Sequence, residues 1–144
     1  MEYPIIKEAF VKRDAKQVQA IYRGGYVIRD AKNAQAVLIA TGSEIAIALE
    51  AAELLSKEGI AVRIVSMPAT TVFDQQSKAY KDSVLPAGLP RIAIEAGVTD
   101  YWWKYGCAAV HGVDTFGESA PAGVLYKHFG LTAESVAKTV RQCI

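Results

Sequence analysis

Glu95 ends the apolar run "RIAI". A carboxylate buried at a strand end without a partner can have its pKa raised by desolvation and act as a general acid or base. The competing reading is a carboxylate held by backbone N–H groups or a basic partner, favoured because an unpaired buried charge is costly. "TGSE" at 41–44 puts Gly42 and Ser43 at the start of a helix. Free N–H groups there can hold an anion. The second glycine and the Lys-Ser/Thr of a phosphate loop are missing, so a plain N-cap is the simpler role for Ser43. Glu95, Gly42 and Ser43 are thus ligand-pocket candidates, each with a structural alternative. His111 and His128 share no metal-ligand spacing with a carboxylate or thiol, and a metal site needs three or four convergent ligands. A triad of Ser119, His111 and Glu95 or Asp114 lacks the Gly-x-Ser-x-Gly elbow. The residues therefore nominate no catalytic group, no cofactor-binding group and no metal ligand.

"DYWWKY" holds four aromatics in six residues. A short helix cannot bury Tyr101, Trp102, Trp103 and Tyr105 together. We expect this group to be an interface, since aromatics are enriched at interface centres. An ordinary core or surface role is the alternative.

The elements that must carry these residues follow from periodicity. Asp14 and Gln17 have capping-box spacing, Val18, Ile21 and Tyr22 make one face, and Gly24 ends that helix in a left-handed conformation. "GYVIRDA" and "AQAVLIATG" are strands. The second is apolar on both alternating faces, as in a sheet covered on both sides. The link 32–34 is too short for a crossover helix, so the first strand runs antiparallel to the second. "SEIAIALEAAELLSKEG" is a helix with Ile45, Ala48, Leu49, Ala52 and Leu55 on its inner stripe. "AVRIVSMP" is the third strand. Thr71 and Asp74 have capping-box spacing for a helix or broken helix reaching towards Leu85, with Phe73 and Tyr80 inward. "RIAIEAG" and "AAVHGV" are the fourth and fifth strands. Thr132 caps the last helix, Leu131 and Val136 staple it, and Val136, Val140 and Ile144 form its buried stripe. The sum is a three-layer α/β/α domain with a five-stranded, mostly parallel mixed sheet and an antiparallel first strand. Ligands of such sheets sit at the carboxyl ends of the strands.

Composition bounds the function. The chain has 144 residues, 16 basic and 15 acidic side chains and a formal charge of +1. Basic residues form no stripe, which argues against nucleic-acid binding. The longest apolar run, Ala36–Ala40, is far below the roughly 20 residues that span a bilayer. Met1–Glu8 is not a signal peptide. Cys107 and Cys143 could pair, but two reduced thiols fit better with a cytoplasmic protein.

Seven motifs, "RGGYVI", "LIATGSE", "VRIVSMP", "FDQQ…AY", "SVLP", "IEAGVTDYWWKYG" and "DTFGESAPA", occur in the order found in the C-terminal domain of transketolases. The chain resembles that domain from about Arg23 onward. Residues 23–144 would be the domain and 1–22 an N-terminal extension and linker helix. The resemblance implies a mixed five-stranded sheet with its first strand antiparallel. It implies a homodimeric, three-domain enzyme that transfers a two-carbon ketol unit between sugar phosphates in the pentose phosphate pathway. Thiamine diphosphate and Mg2+ would be held by the first two domains. The partners of this chain would be those cofactor-binding domains and a second subunit. The family's Gly-Asp-Gly motif does not occur here, and its catalytic glutamate lies on another domain. The resemblance therefore implies a non-catalytic domain, inactive alone. Glu118 and Ser119 belong to a structural signature of the family, with Pro121 fixing a helix start. Two other classes compete: an independent small-ligand-binding or regulatory domain, and the C-terminal domain of a 2-oxo-acid dehydrogenase β subunit. "FGESAPA" and "DYWWKYG" favour the transketolase over the latter.

Overall fold

A computed structural model describes residues 19–95, 104–112 and 132–144 of the chain. Five strands form one sheet: β1 (Tyr26–Arg29), β2 (Ala36–Ala40), β3 (Val62–Ser66), β4 (Arg91–Glu95) and β5 (Ala109–Gly112). Their spatial order is β1-β3-β2-β4-β5. β2 pairs in parallel with β3 and β4, β4 pairs in parallel with β5, and β1 is antiparallel. The described helices are α1 (Glu44–Ser56), α2 (Thr70–Asp74), α3 (Lys78–Val84) and α4 (Ala133–Cys143).

The direction of β1 is as the short link requires, but its neighbour is β3 rather than β2. Both edges of β2 are already taken by parallel partners. The link instead passes the amino end of β3, where the Gln35 amide donates to the Ala61 carbonyl at 2.8 Å. Six residues easily reach across one intervening strand, given spacings near 4.8 Å.

All five residues of β2 are buried, as a centrally placed strand covered on both faces must be. Ala36, Leu38 and Ala40 face one core, together with Ile64, Ile92 and Ile94. That core is closed by α1 and α4. Val37 and Ile39 face the other core, with Val65, Met67, Phe73, Val84, Tyr105 and Cys107. This second side is closed by α2, α3 and the turn around Tyr105, so the domain has three layers. Leu49 is only half-buried, whereas Ile47 and Ala51 are buried beside Ile45, Ala48, Ala52 and Leu55. The reason is that α1 packs on both the sheet and α4, so its apolar surface spans more than one stripe.

Thr132 caps α4: its hydroxyl accepts from the Ser135 amide at 3.2 Å, and the Thr132 amide donates back to Ser135 Oγ at 3.4 Å. Such a cap is worth about 1 kcal/mol. Val136 and Val140 are buried, but Ile144 is exposed, so the inner stripe ends one turn early. Leu131, the expected staple partner, lies outside the described residues. At the other end, Gly24 (φ +84°) closes the helical turn 19–21, its amide donating to the Ile21 carbonyl.

Candidate functional site

The carboxyl edge of the sheet is where a ligand was expected. Gly42 has φ +53° and turns the chain from β2 into α1. Ser43 occupies the N-cap position, but its backbone is already helical and its side chain makes no capping bond. Its hydroxyl instead donates to Glu44 Oε1 at 3.3 Å. The amides of Glu44, Ile45 and Ala46 donate to the carbonyls of Thr41, Gly42 and Ser43 at 3.0, 3.3 and 3.3 Å. This tight first turn consumes the donors that an anion at Gly42 and Ser43 would have used. Glu95 ends β4 opposite Gly112 and is half-buried rather than enclosed. The stretch between β1 and β3 is filled: Met67 and Phe73 are buried against Gly24 and Gly25. His111 lies in β5, its backbone beside Ile94. Asp114, Glu118, Ser119, Pro121 and His128 lie outside the described residues.

A second concentration of polar groups lies on the opposite side of the domain from α1 and α4. Asp74, at the end of α2, accepts from Lys104 Nζ at 2.8 Å and from the Tyr105 hydroxyl at 2.9 Å. The hydrogen bond from Lys104 holds the Asp74 carboxyl below the ordinary carboxylate range against the opposing effect of burial, and Tyr105 adds to it. Lys81 Nζ donates to the Asp74 carbonyl at 3.3 Å. Arg91, at the amino end of β4, donates to the Tyr105 carbonyl at 2.8 Å and to the Leu85 carbonyl at 2.9 Å. Tyr105 is therefore held at both ends, by Asp74 at its phenol and by Arg91 at its backbone. These side chains, with Phe73, Asp82 and Leu85, line an open cleft of about 330 Å³.

Two expectations change here. Asp74 is not part of an N-terminal box with Thr71. Ala69 occupies the cap position of α2 without a side-chain bond, and Ser77 caps α3 by accepting from the Tyr80 amide at 3.1 Å. The helix is broken between Asp74 and Lys78, which frees the carboxylate of Asp74 to reach the 104–105 turn. Tyr105, grouped with Tyr101, Trp102 and Trp103 as an interface aromatic, is buried within this domain against Phe73. The other three lie outside the described residues. No local signal marks the Asp74 cluster, since its members are separated by up to 31 positions in the chain. Phe73 and Tyr80 do face inward, Tyr80 donating its hydroxyl to the Gly25 carbonyl at 2.7 Å. Arg23 lies over the Tyr80 ring at 4.6 Å.

Cys107 and Cys143 are both free thiols on opposite sides of the sheet. Burial pushes the Cys107 thiol up to about 11, so it is neither a nucleophile nor a ready metal ligand at neutral pH. Among the described residues no three His, Cys, Asp or Glu side chains converge as metal ligands. With no Gly-Asp-Gly in the chain, these residues do not fit a metal-bound diphosphate.

Residues 24–132 match the model of the transketolase-like TK C-terminal domain. The chain belongs to the transketolase C-terminal domain family. A plasmid-encoded transketolase of Cupriavidus necator is 55% identical over 134 residues, which is 90% of this chain and 20% of that protein. Transketolase 2 of Aliivibrio fischeri is 50% identical over 137 residues, 92% of this chain and 21% of that protein. The chain thus spans about a fifth of the length of these curated relatives. The structure of transketolase from Leishmania mexicana superposes with a TM-score of 0.82 at 45% identity, over 88% of this chain and 18% of that one. A split-gene transketolase, solved as an inactive β4 tetramer, superposes with a TM-score of 0.61 at 26% identity, over 83% of this chain and 41% of that one. The mixed sheet with its antiparallel first strand is the transketolase C-terminal fold. No described helix is long and apolar enough to cross a membrane.

Proposed function

We propose that this chain serves as the non-catalytic assembly domain of a cytoplasmic, homodimeric transketolase of the pentose phosphate pathway. Ketol transfer, with thiamine diphosphate and Mg2+, belongs in this reading to the other two domains of the enzyme. Residues 23–144 form the domain and 1–22 its lead-in. The carrying observation is the family match over 24–132 within relatives about five times longer. Tyr101, Trp102 and Trp103 are the proposed contact to those domains or to a second copy. Tyr105, anchored by Asp74 and Arg91, fixes where that segment rejoins the domain.

The test is complementation. The chain is mixed with the Aliivibrio fischeri enzyme truncated just before its own C-terminal domain. Stable co-elution and recovered ketol transfer are expected, together with no calorimetric binding of thiamine diphosphate by the chain alone. A folded chain that fails to associate, or one that binds the cofactor alone with micromolar affinity, overturns the reading.

A further inference from the structure

We propose that α3 and the turn at 85–86 form a latch on the second core that opens while the sheet stays folded, with Arg63 and Arg91 as its two jaws. Register places the jaws. Arg63 on β3 and Arg91 on β4 both pair with Val37 of β2, one on each side. Side chains at paired positions share a face of the sheet. Both guanidiniums therefore rise on the Val37 side, at the amino edge of the sheet. There they take four successive carbonyls. Arg63 Nη1 donates to Ser83 at 2.6 Å and Val84 at 3.1 Å, and Arg91 Nη2 donates to Leu85 at 2.9 Å and Pro86 at 3.4 Å. The last carbonyls of a helix have no partner within it, and cations are favoured at that end.

The jaws are set independently of what they grip. Arg63 Nε and Nη2 donate to the two carboxylate oxygens of Asp30 at 3.0 and 3.1 Å, and Arg91 Nη1 donates to the Tyr105 carbonyl at 2.8 Å. Neither anchor lies on α3. Both guanidiniums stay ordered when α3 leaves, so closing need not order them again.

The helix itself is weakly held. Its seven residues are too few for a helix to be stable without tertiary support, and Val84 is the one buried residue among them. Leu85 is buried just beyond it. Tyr80 is partly buried, with a hydrogen bond to the Gly25 carbonyl, an edge contact to Phe73 and Arg23 over its ring. Lys81 adds its bond to the Asp74 carbonyl. Segments with few buried apolar contacts open at a lower free energy than the whole domain. The chain has no helix or strand on either side of the latch, at 75–77 and 87–90, so α3 can swing without α2. Phe73 keeps α2 on the second core, and the first core, under α1 and α4, contains no residue of α3. This inference does not depend on the assembly role.

Native-state amide exchange, read by NMR on the full 144-residue chain, is the test. The Lys81 and Leu85 amides are bonded to the Ser77 and Lys81 carbonyls. They should be less protected than the Leu38 and Ile39 amides of β2 by about ten-fold or more, as a local opening requires. Arg63→Lys should lower the protection of Lys81 and Leu85 a further ~10-fold, the scale of one lost charge-assisted hydrogen bond. Val140→Ala, in the first core, should lower the protection of Leu38 and Ile39 and leave that of Lys81 and Leu85 unchanged. The wild type and Val140→Ala decide the matter if Arg63→Lys does not fold. Equal protection of α3 and β2, an equal loss in both elements on Val140→Ala, or unchanged α3 protection in a folded Arg63→Lys chain overturns the proposal.

Discussion

Replacing Gly24 by alanine tests how tightly the start of the domain is locked to α2. Gly24 has φ +84°, and a Cβ built there would lie 2.2 Å from the Ala69 carbonyl oxygen and 2.5 Å from the Phe73 amide nitrogen. Both neighbours are backbone, and the Gly24 carbonyl itself accepts from the Ala69 amide at 3.0 Å. Relief therefore requires moving the whole entry to α2. Left-handed strain costs about 1–2 kcal/mol, and overpacking about 1–3 kcal/mol. The stiffer unfolded chain returns roughly 0.4–1 kcal/mol. The net loss is about 1–5 kcal/mol, and at roughly 3 °C per kcal/mol for a domain of this size the melting temperature falls by about 3–15 °C. Gly59→Ala is the control, because Gly59 has φ +78° and, among the described residues, nothing within 4 Å of its built Cβ. It carries the strain without the clash. Urea and thermal unfolding of both variants should differ by the overpacking contribution, about 1–3 kcal/mol. Equal losses in the two variants would refute the packing argument.

Gly42→Val is expected to destabilise through backbone strain at φ +53°, because among the described residues, chain neighbours aside, its built Cβ meets just Glu44 Oε2, at 3.9 Å. Its melting temperature should drop, and a loss as large as that of Gly24→Ala would show that the turn is more crowded than its geometry. Asp74→Asn should flatten the acid limb of stability. The folded carboxyl is held below its ordinary value of 3.8, chiefly by the hydrogen bond from Lys104. Its contribution is thus present above about pH 4 and is lost as pH falls through the lower folded value. Unfolding curves from pH 6 to 2 should converge for wild type and variant at the acid end, and a constant offset would remove Asp74 from the acid response. Iodoacetamide at pH 8 should label half-buried Cys143 in the folded chain and reach Cys107 only after denaturant, as peptide mass mapping would reveal. Equal labelling of both thiols would contradict the burial of Cys107.

Family membership and the type of each described element were legible in the sequence, because both rest on information local to the chain. The unbroken apolar run of β2 announces a strand covered on both faces. Thr132 caps α4 through a residue only three positions away, and Gly24 closes its turn through Ile21. The short link before β2 dictated the direction of β1. It could not name the neighbour of β1, because strand order depends on which edges of β2 the later strands occupy. Asp74 shows the same limit. Its spacing from Thr71 is that of a capping box, yet a break at 75–77 turned its carboxylate to Lys104 and Tyr105, about thirty residues away. Tyr105 has the side chain of an interface residue, yet its ring packs near Phe73 inside the domain, with its hydroxyl on Asp74 and its carbonyl on Arg91. Ser43 has the right type and place for a cap, but the tight turn after Gly42 satisfied the helix amides first. Residue type and short spacing determined the elements, whereas competition between distant groups for the same donors, acceptors and strand edges was decided only when the tertiary structure brought them together.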